Sequence, residues 1–143
     1  MQRIYTLSAY ETTAAEFFRR VREEETDLVL DVRFSNSSQL CGFTKEKDLE
    51  FFVPQLTGAA YIHDLNFAPT KGLLDLYTKK HIGWDEYREE YAELLRRRGA
   101  MDLYGRRYSG CGSVCLLGTK TKKRRSHNEE LYALLAANGY ADS

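Results

Sequence analysis

The first candidate for chemistry is an arginine at the end of an apolar run. Arg33 directly follows residues 28–32, a nearly continuous apolar stretch, and a polar loop comes after it. A guanidinium carries a fixed fork of donors that matches a carboxylate or a phosphate. The loop adds serine hydroxyls that can donate further hydrogen bonds: Ser35, Ser37 and Ser38. The pattern predicts a site for an anionic ligand with Arg33 at its centre.

A structural role would explain the same residues. Arg33 can form an ion pair with Asp31 or Glu46. Serine and asparagine are common in turns because their side chains bond to the nearby backbone. Both interpretations of Arg33 stay open on the sequence alone.

A second candidate is the basic run from Lys120 to Arg125, which follows the apolar residues 114–117. Ser126 comes next, at the expected start of a helix, where free N–H groups and the positive end of the helix dipole favour anions. We expect Lys120 to hold the anion together with Arg33, and Ser126 to lie at the same site. A solvated basic loop is the alternative, since salt screens exposed charges within about 8 Å.

His127 lies in the first turn of the same expected helix, where the dipole favours a neutral imidazole. Together with Tyr10, it would contact a base or a sugar of the bound molecule. Were the protein instead a hydrolase or transferase acting on a nucleotide or nucleic-acid-derived substrate, His127 would be the general base. Ser126 fits a helix cap better than a nucleophile, because spacing places no base beside it.

A nucleic-acid-binding accessory protein is a further alternative. The basic run supplies four cations for phosphates: Lys122, Lys123, Arg124 and Arg125. Groups able to stack on bases or to bind phosphates precede the run: Tyr104, Arg106, Arg107 and Tyr108. No nucleic-acid recognition motif accompanies them.

Composition limits the class of protein. The 143 residues suit one domain, which we expect to span 1–143, and 21 basic residues balance 21 acidic ones. The three cysteines lack the pairing of a disulfide framework, and no apolar run could span a bilayer. We therefore expect a cytoplasmic protein that does not act at a membrane. The sequence carries no motif for a metal or another cofactor.

Strand and helix signals alternate along the chain. We expect four strands, at residues 3–8, 27–33, 59–63 and 113–118. Helices are expected in five places: after Thr13, from Thr44 to Val53 before Pro54, after Thr70, from Gly83 to Gly99, and after Ser126. The aromatic residues of the fourth of these helices suit either a core or a homodimer.

This alternation predicts an α/β fold. We expect a three-layer sandwich in which helices cover both faces of a four-stranded, mostly parallel, Rossmann-like sheet. In such folds ligands bind beyond the carboxyl ends of the strands. The predicted cleft therefore comprises the segments 8–11, 33–43 and 118–128.

A family resemblance is carried by three blocks: Asp31-Val32-Arg33 with Ser38 and Gly42-Phe43, then Ala68-Pro69-Thr70-Lys71, then Trp84-Asp85-Glu86-Tyr87. Through these blocks the chain resembles the bacterial domain of unknown function 488 family over nearly its whole length. The resemblance implies an α/β domain with a site near Arg33, Ser38 and His127.

The chain departs from that family where thiol chemistry would be placed. Such proteins typically have a cysteine at the end of strand four, followed by an acid, and a Cys-His-Arg trio at the start of the last helix. Here those places resemble Gly118-Thr119-Lys120 and Ser126-His127-Asn128, so only the histidine is kept. We therefore expect a protein that binds an anionic small molecule, a nucleotide or nucleotide-derived signal, as a sensor or a sequestering protein.

Overall fold

Strands and helices alternate through the computed structural model, which describes residues 1–37 and 39–142, with the backbone alone at residues 39 and 40. In this part of the chain there are four strands: β1 (Arg3–Ser8), β2 (Leu28–Asp31), β3 (Ala60–His63) and β4 (Ser113–Gly118). There are six α-helices: α1 (Ala14–Glu23), α2 (Glu46–Thr57), α3 (Lys71–Thr78), α4 (Trp84–Arg98), α5 (Ala100–Tyr108) and α6 (Asn128–Ala137). Short 3-10 turns occupy Gln39–Thr44 and Leu65–Phe67. None of the described helices is long and apolar enough to cross a membrane.

The strands form one parallel sheet in the order β1-β4-β2-β3. β4 lies inside the sheet and pairs with β1 from Ser113 to Gly118 and with β2 from Val114 to Leu117. β3 pairs with β2 and forms one edge of the sheet. Because every pairing is parallel, the carboxyl ends of the strands meet on one side. The predicted α/β fold is confirmed, with a sheet that is wholly parallel.

Each face of the sheet has its own core. α1 and α2 cover one face with buried residues such as Phe17, and α4, α5 and α6 cover the other with residues such as Leu131. The side chains of β2 alternate between the two cores: Val29 belongs to the first and Leu30 to the second. Helices on both faces explain why Leu28, Val29 and Leu30 are apolar in succession.

Capping residues set several helix boundaries as predicted. The Thr13 hydroxyl accepts the N–H of Glu16 at 3.1 Å, and the Thr70 hydroxyl accepts that of Leu73 at 3.1 Å. Gly99 adopts a φ of 64°, which ends α4 and allows α5 to begin. The predicted bounds of β1 and β4 are confirmed in full.

The predicted helix from Thr44 to Val53 was wrong at both ends. The Thr44 hydroxyl donates to the Cys41 carbonyl at 2.6 Å and caps no helix, so α2 begins at Glu46. α2 also continues through Pro54 to Thr57. The proline costs one helical hydrogen bond. The helix continues past it and is capped by Gly58, which adopts a left-handed φ of 78°.

Two predicted strands are shorter in the structure, because β2 ends at Asp31 and not at Arg33, and β3 begins at Ala60 and not at Ala59. The chain after β2 leaves the sheet early, which frees Arg33 from the strand register. This departure decides where its side chain points.

Residues 100–112, for which the sequence predicted no element, contain α5. Tyr104 and Tyr108 of this helix are buried, so the prediction that they stack on nucleic-acid bases is wrong. Tyr87 and Tyr91 of α4 are buried as well. Two of the aromatic residues of α4 that were expected to serve either the core or a homodimer are thus buried within the same chain, whereas Trp84 is half-buried.

Candidate anion-binding site

Arg33 is fully buried and bonded within the protein. Its Nε and Nη2 atoms donate to the two carboxylate oxygens of Asp31 at 2.9 and 2.7 Å, the bidentate geometry of a strong ion pair. Nη2 also donates to the carbonyl of Thr44 at 2.6 Å, and Nη1 donates to its hydroxyl at 3.3 Å. Arg33, the predicted centre of the anion site, therefore directs its guanidinium inward to Asp31 and Thr44.

Asp31 is the centre of a group that we call the buried clasp: Asp31, Arg33, Asn36, Thr44 and Tyr61. The Asn36 amide and the Tyr61 hydroxyl donate to the same carboxylate at 3.1 and 2.5 Å. Burial acts to raise the pKa of Asp31, but the hydrogen bonds and charge of Arg33 outweigh it and hold that pKa below its ordinary value. The carboxylate is therefore ionised at neutral pH and ties the loop after β2 to the sheet.

The two described serines of the predicted site do not surround Arg33. Ser35 and Ser37 are exposed, whereas Asn36 between them is buried and turns its amide towards Asp31. Ser38, the third predicted donor, lies outside the described residues. Between these two serines, the loop therefore places the Asn36 amide beside the ion pair.

His127 is also a buried residue, with 2% of its surface exposed. Its Nε2 lies 2.6 Å from the Val32 carbonyl and so carries the proton, which leaves Nδ1 to accept from the Tyr87 hydroxyl at 3.4 Å. Burial lowers the pKa of His127 to about 4, so the ring is neutral at pH 7. Both ring nitrogens therefore form hydrogen bonds within the protein.

Hydrogen bonds of the chain itself close the strand-end edge between β1 and β4. The Ser8 hydroxyl donates to the Lys120 carbonyl at 2.5 Å, and the Thr119 N–H donates to the Ser126 hydroxyl at 3.0 Å. Ser126 therefore does not cap α6 with its side chain as predicted, and the helix begins at Asn128. The predicted cleft is filled at this point by the protein.

Lys120 and Tyr10, the two remaining predicted contacts, lie apart from Arg33 and His127. The Lys120 side chain is exposed, whereas Arg33 is buried. Tyr10 packs against the core under α1 and α2, whereas His127 contacts Tyr91 in the core on the other face. Among the described residues, the structure therefore does not gather Arg33, His127, Lys120 and Tyr10 around one cavity.

Gly118 and Asn128 stand where the family resemblance places a cysteine and an arginine, and they pack against each other. A Cβ on Gly118 would lie 2.5 Å from Cγ of Asn128, so a larger residue at 118 requires a change at 128. The Asn128 amide donates to the carbonyls of Leu7 and Leu116 at 3.2 and 2.9 Å. This pair anchors the start of α6 on the sheet.

The basic run folds into a tight hairpin between β4 and α6. Thr121 and Arg124 pair through backbone hydrogen bonds of 2.9 and 3.3 Å, with Lys122 and Lys123 at the tip. The Glu11 carboxylate accepts the N–H of Lys122 at 2.8 Å. This bond ties the hairpin to the loop after β1.

A cavity of about 640 Å³ lies between this hairpin and the turn from α3 to α4. We call it the basic pocket; it is lined by Tyr77, Thr78, Lys80, His81, Ile82 and Gly83 from the turn and by Thr121, Lys123 and Arg124 from the hairpin. Its volume is within the range of small-molecule sites. Basic side chains therefore reach one cavity from two separate segments.

The cations of the basic pocket lack acidic partners. Within the described residues, Lys80, Lys123 and Arg124 form no ion pair, whereas the adjacent Arg125 pairs with Glu129 at 2.9 Å. Arg124 is only partly exposed, and its side chain has no carboxylate partner in the described part of the chain. The described residues also contain no group of three or more His, Cys, Asp or Glu side chains that could hold a metal ion. The pocket is thus suited to an anion.

Sequence reasoning missed the α3–α4 side of this pocket. Lys80 and His81 are distant in sequence from the basic run, and they reach it because the Tyr77 hydroxyl donates to the Arg125 carbonyl at 3.0 Å. The run Lys79-Lys80-His81 before Gly83 is a second basic cluster in a turn. The sequence signal for this pocket would have been the presence of two basic clusters, each in a turn, that could meet in the folded chain.

The fold and the pocket define a class of protein, a doubly wound α/β domain with a parallel sheet and a basic cavity beside the loop after β4. A family model described as domain of unknown function DUF488 matches residues 13–135, most of the chain, and the protein belongs to that family. Comparisons with curated proteins and with solved structures found no match. The family description assigns no activity to the domain.

Proposed function

We propose that this protein binds a phosphorylated small molecule in the basic pocket, with a nucleotide or nucleotide-derived signal as the leading ligand class. One observation carries the proposal: a cavity lined by Lys80, His81, Lys123 and Arg124, with no acid among its lining residues. A protein with such a site serves as a sensor or a sequestering protein.

The pocket offers a contact for each part of such a ligand. Its ammonium and guanidinium groups suit phosphate oxygens, which a guanidinium can bind through two donors at once. Thr78 and Thr121 add hydroxyls. Tyr77 supplies an aromatic wall that is held by stacking on Tyr87, with ring centroids 4.1 Å apart and planes 8° from parallel. A nucleotide uses all three kinds of contact, whereas inorganic phosphate uses two.

Binding is better supported than catalysis by His127. A general base needs a free nitrogen within reach of the substrate, but both nitrogens of His127 are bonded to Val32 and Tyr87. His127 also does not line the basic pocket. Nucleic-acid binding stays a prediction for the exposed hairpin tip, at Lys122 and Lys123.

Isothermal titration calorimetry on the full chain tests the proposal. The probes are nucleoside monophosphates, diphosphates and triphosphates, with inorganic phosphate for comparison. We expect Arg124→Gln and Lys123→Gln each to weaken nucleotide affinity by about 10-fold, the size of a lost charge-assisted bond. Lys122→Gln is the matched control, because it removes the same charge from the same hairpin but does not line the cavity.

Two results would count against the pocket. One is a clean apo mass in native mass spectrometry of freshly purified protein, together with no binding heat and no thermal shift for any nucleotide. The other is an equal loss of affinity in Lys122→Gln. That result would indicate general charge attraction, which also weakens steeply with salt and would favour a nucleic acid.

A further inference from the structure

An open apolar groove lies between α1 and α2, on the face of the sheet away from α4 and α6. Its volume is about 760 Å³. Its walls are formed by apolar side chains: Ala14, Ala15, Phe18, Phe43, Phe52 and Leu56. Leu56 is 48% exposed, so a large aliphatic side chain faces water here. Exposed apolar surface of this kind marks an interaction site.

A projecting aromatic ring stands at the margin of this α1–α2 groove. Phe51 is 62% exposed, and its ring contacts the groove residue Phe52 at a centroid distance of 5.5 Å. Phe52 in turn contacts Phe18 at 6.0 Å, and Phe18 contacts Phe43 at 5.8 Å. The protruding ring and the groove therefore form one continuous aromatic surface, with a knob beside a hole.

The charged rim of the groove carries both signs. Arg19 pairs with Glu16 at 3.2 Å and with Glu23 at 3.7 Å. Arg22 also lines the groove, is exposed, and forms no ion pair within the described residues. When a second copy approaches about a two-fold axis, Arg22 of one copy can face Glu23 of the other. The rim is thus complementary in charge to itself.

We propose that this face is the interface of a homodimer in which Phe51 of each copy enters the α1–α2 groove of the other. A two-fold interface needs one patch that is complementary to itself in shape and charge, and the adjacent knob, hole and mixed rim meet that requirement. A different protein with a uniformly acidic or uniformly basic surface would not require both acidic and basic residues on the rim of the groove. The basic pocket belongs to the other helical layer and stays open in this dimer, so the inference is independent of the proposed function.

Sedimentation equilibrium of the full chain, from about 1 to about 100 μM, measures the dimer directly. We expect a concentration-dependent dimer whose dissociation constant rises at least about 30-fold in Phe51→Glu, as for a central aromatic contact. Leu56→Glu should act in the same direction. Leu76→Glu and Ile62→Glu are matched controls, since these apolar side chains are 43% and 39% exposed but lie outside the groove.

The rim provides a second readout. Arg22→Glu should weaken the dimer several-fold, and the charge swap Arg22→Glu with Glu23→Arg should restore most of the affinity. A wild-type chain that is monomeric across the whole concentration range overturns the proposal, even if its groove binds an apolar dye. Dissociation by Ile62→Glu and not by Phe51→Glu also overturns it, because the interface would then lie at the β3 edge.

Discussion

Arg33 and Arg124 lie after neighbouring strands of one sheet, β2 and β4, but their surroundings are opposite. Arg33 is fully buried and donates to both carboxylate oxygens of Asp31. Arg124 is partly exposed, lines a cavity and has no acidic partner in the described part of the chain. The same residue type stabilises the fold in the buried clasp and, by our proposal, binds a ligand in the basic pocket.

The difference between Arg33 and Arg124 shows what makes an arginine available to bind an anionic ligand. A buried charge loses its hydration and must be compensated inside the protein, and Asp31 provides this compensation two residues before Arg33. A cation that faces a cavity keeps part of its hydration and can stay unpaired until an anion arrives. Unfilled donors, and not the presence of an arginine after a strand, therefore indicate a site.

The largest effect is expected from breaking the buried clasp. Arg33→Met leaves the Asp31 carboxylate buried without its counter-ion, and such a loss costs about 3–5 kcal/mol. We expect the free energy of unfolding to fall by this amount in urea denaturation at pH 7, followed by circular dichroism.

The double variant Asp31→Asn with Arg33→Met is the control for this experiment. It removes the unpaired charge, so it should be more stable than the single variant. A loss below about 1 kcal/mol in Arg33→Met would mean that the ion pair has little structural weight, and the contrast with Arg124 would disappear.

The next effect is a dependence of stability on pH that arises from His127. Its pKa is about 4 in the folded protein, against an ordinary value of 6.5, so the unfolded chain takes up the proton first as the pH falls. The neutral, buried His127 therefore makes its full contribution to the free energy of unfolding above about pH 6.5. This contribution, about 3 kcal/mol in total, is lost as the pH falls towards 4.

His127→Gln isolates this contribution. Glutamine keeps a donor for the Val32 carbonyl but does not titrate, so the free energy of unfolding should fall less between pH 6.5 and pH 4 than in the wild type. Carboxylates titrate in both proteins and cancel in the difference. Parallel pH curves for the two proteins would show that His127 is not buried in its neutral form.

Two tyrosine variants compare the buried clasp with the basic pocket through smaller expected changes in the free energy of unfolding. Tyr61→Phe removes a hydrogen bond to the ionised Asp31 and should cost about 2 kcal/mol of unfolding free energy. Tyr77→Phe removes a hydrogen bond to the Arg125 carbonyl at the exposed basic pocket and should cost about 0.5 kcal/mol. Thermal denaturation of both variants measures the difference, and a reversed order would contradict the assignment of the clasp as structural.

Local signals predicted much of the fold because they act within a few residues. The alternating and β-branched residues of β1, the apolar run of β4 and the threonine caps at Thr13 and Thr70 give the observed boundaries. α5 was missed because Gly105 lowers the helix propensity of its segment. The reason for that glycine is distant, since a Cβ there would collide with the Tyr140 hydroxyl.

The site was harder to predict because its contacts come from distant parts of the chain. The sequence left Arg33 open between a ligand site and an ion pair with Asp31, and the choice depends on Thr44 and Tyr61, which close the clasp from other segments. Lys80 likewise joins the hairpin only after α3 has packed beside it. The basic run itself was predicted, because charge clusters are visible without a fold.

The smallest expected effect on stability is that of Arg124→Gln, which should change the free energy of unfolding by less than about 0.5 kcal/mol, because no buried partner loses a bond. The same variant should lose most of the nucleotide affinity in calorimetry. Stability and affinity must be measured together to distinguish the basic pocket from the buried clasp, because Arg33→Met would also abolish binding if it unfolded the protein. If Arg124→Gln were as destabilising as Arg33→Met, the cations of the basic pocket would be structural, and their lack of acidic partners would no longer point to a ligand.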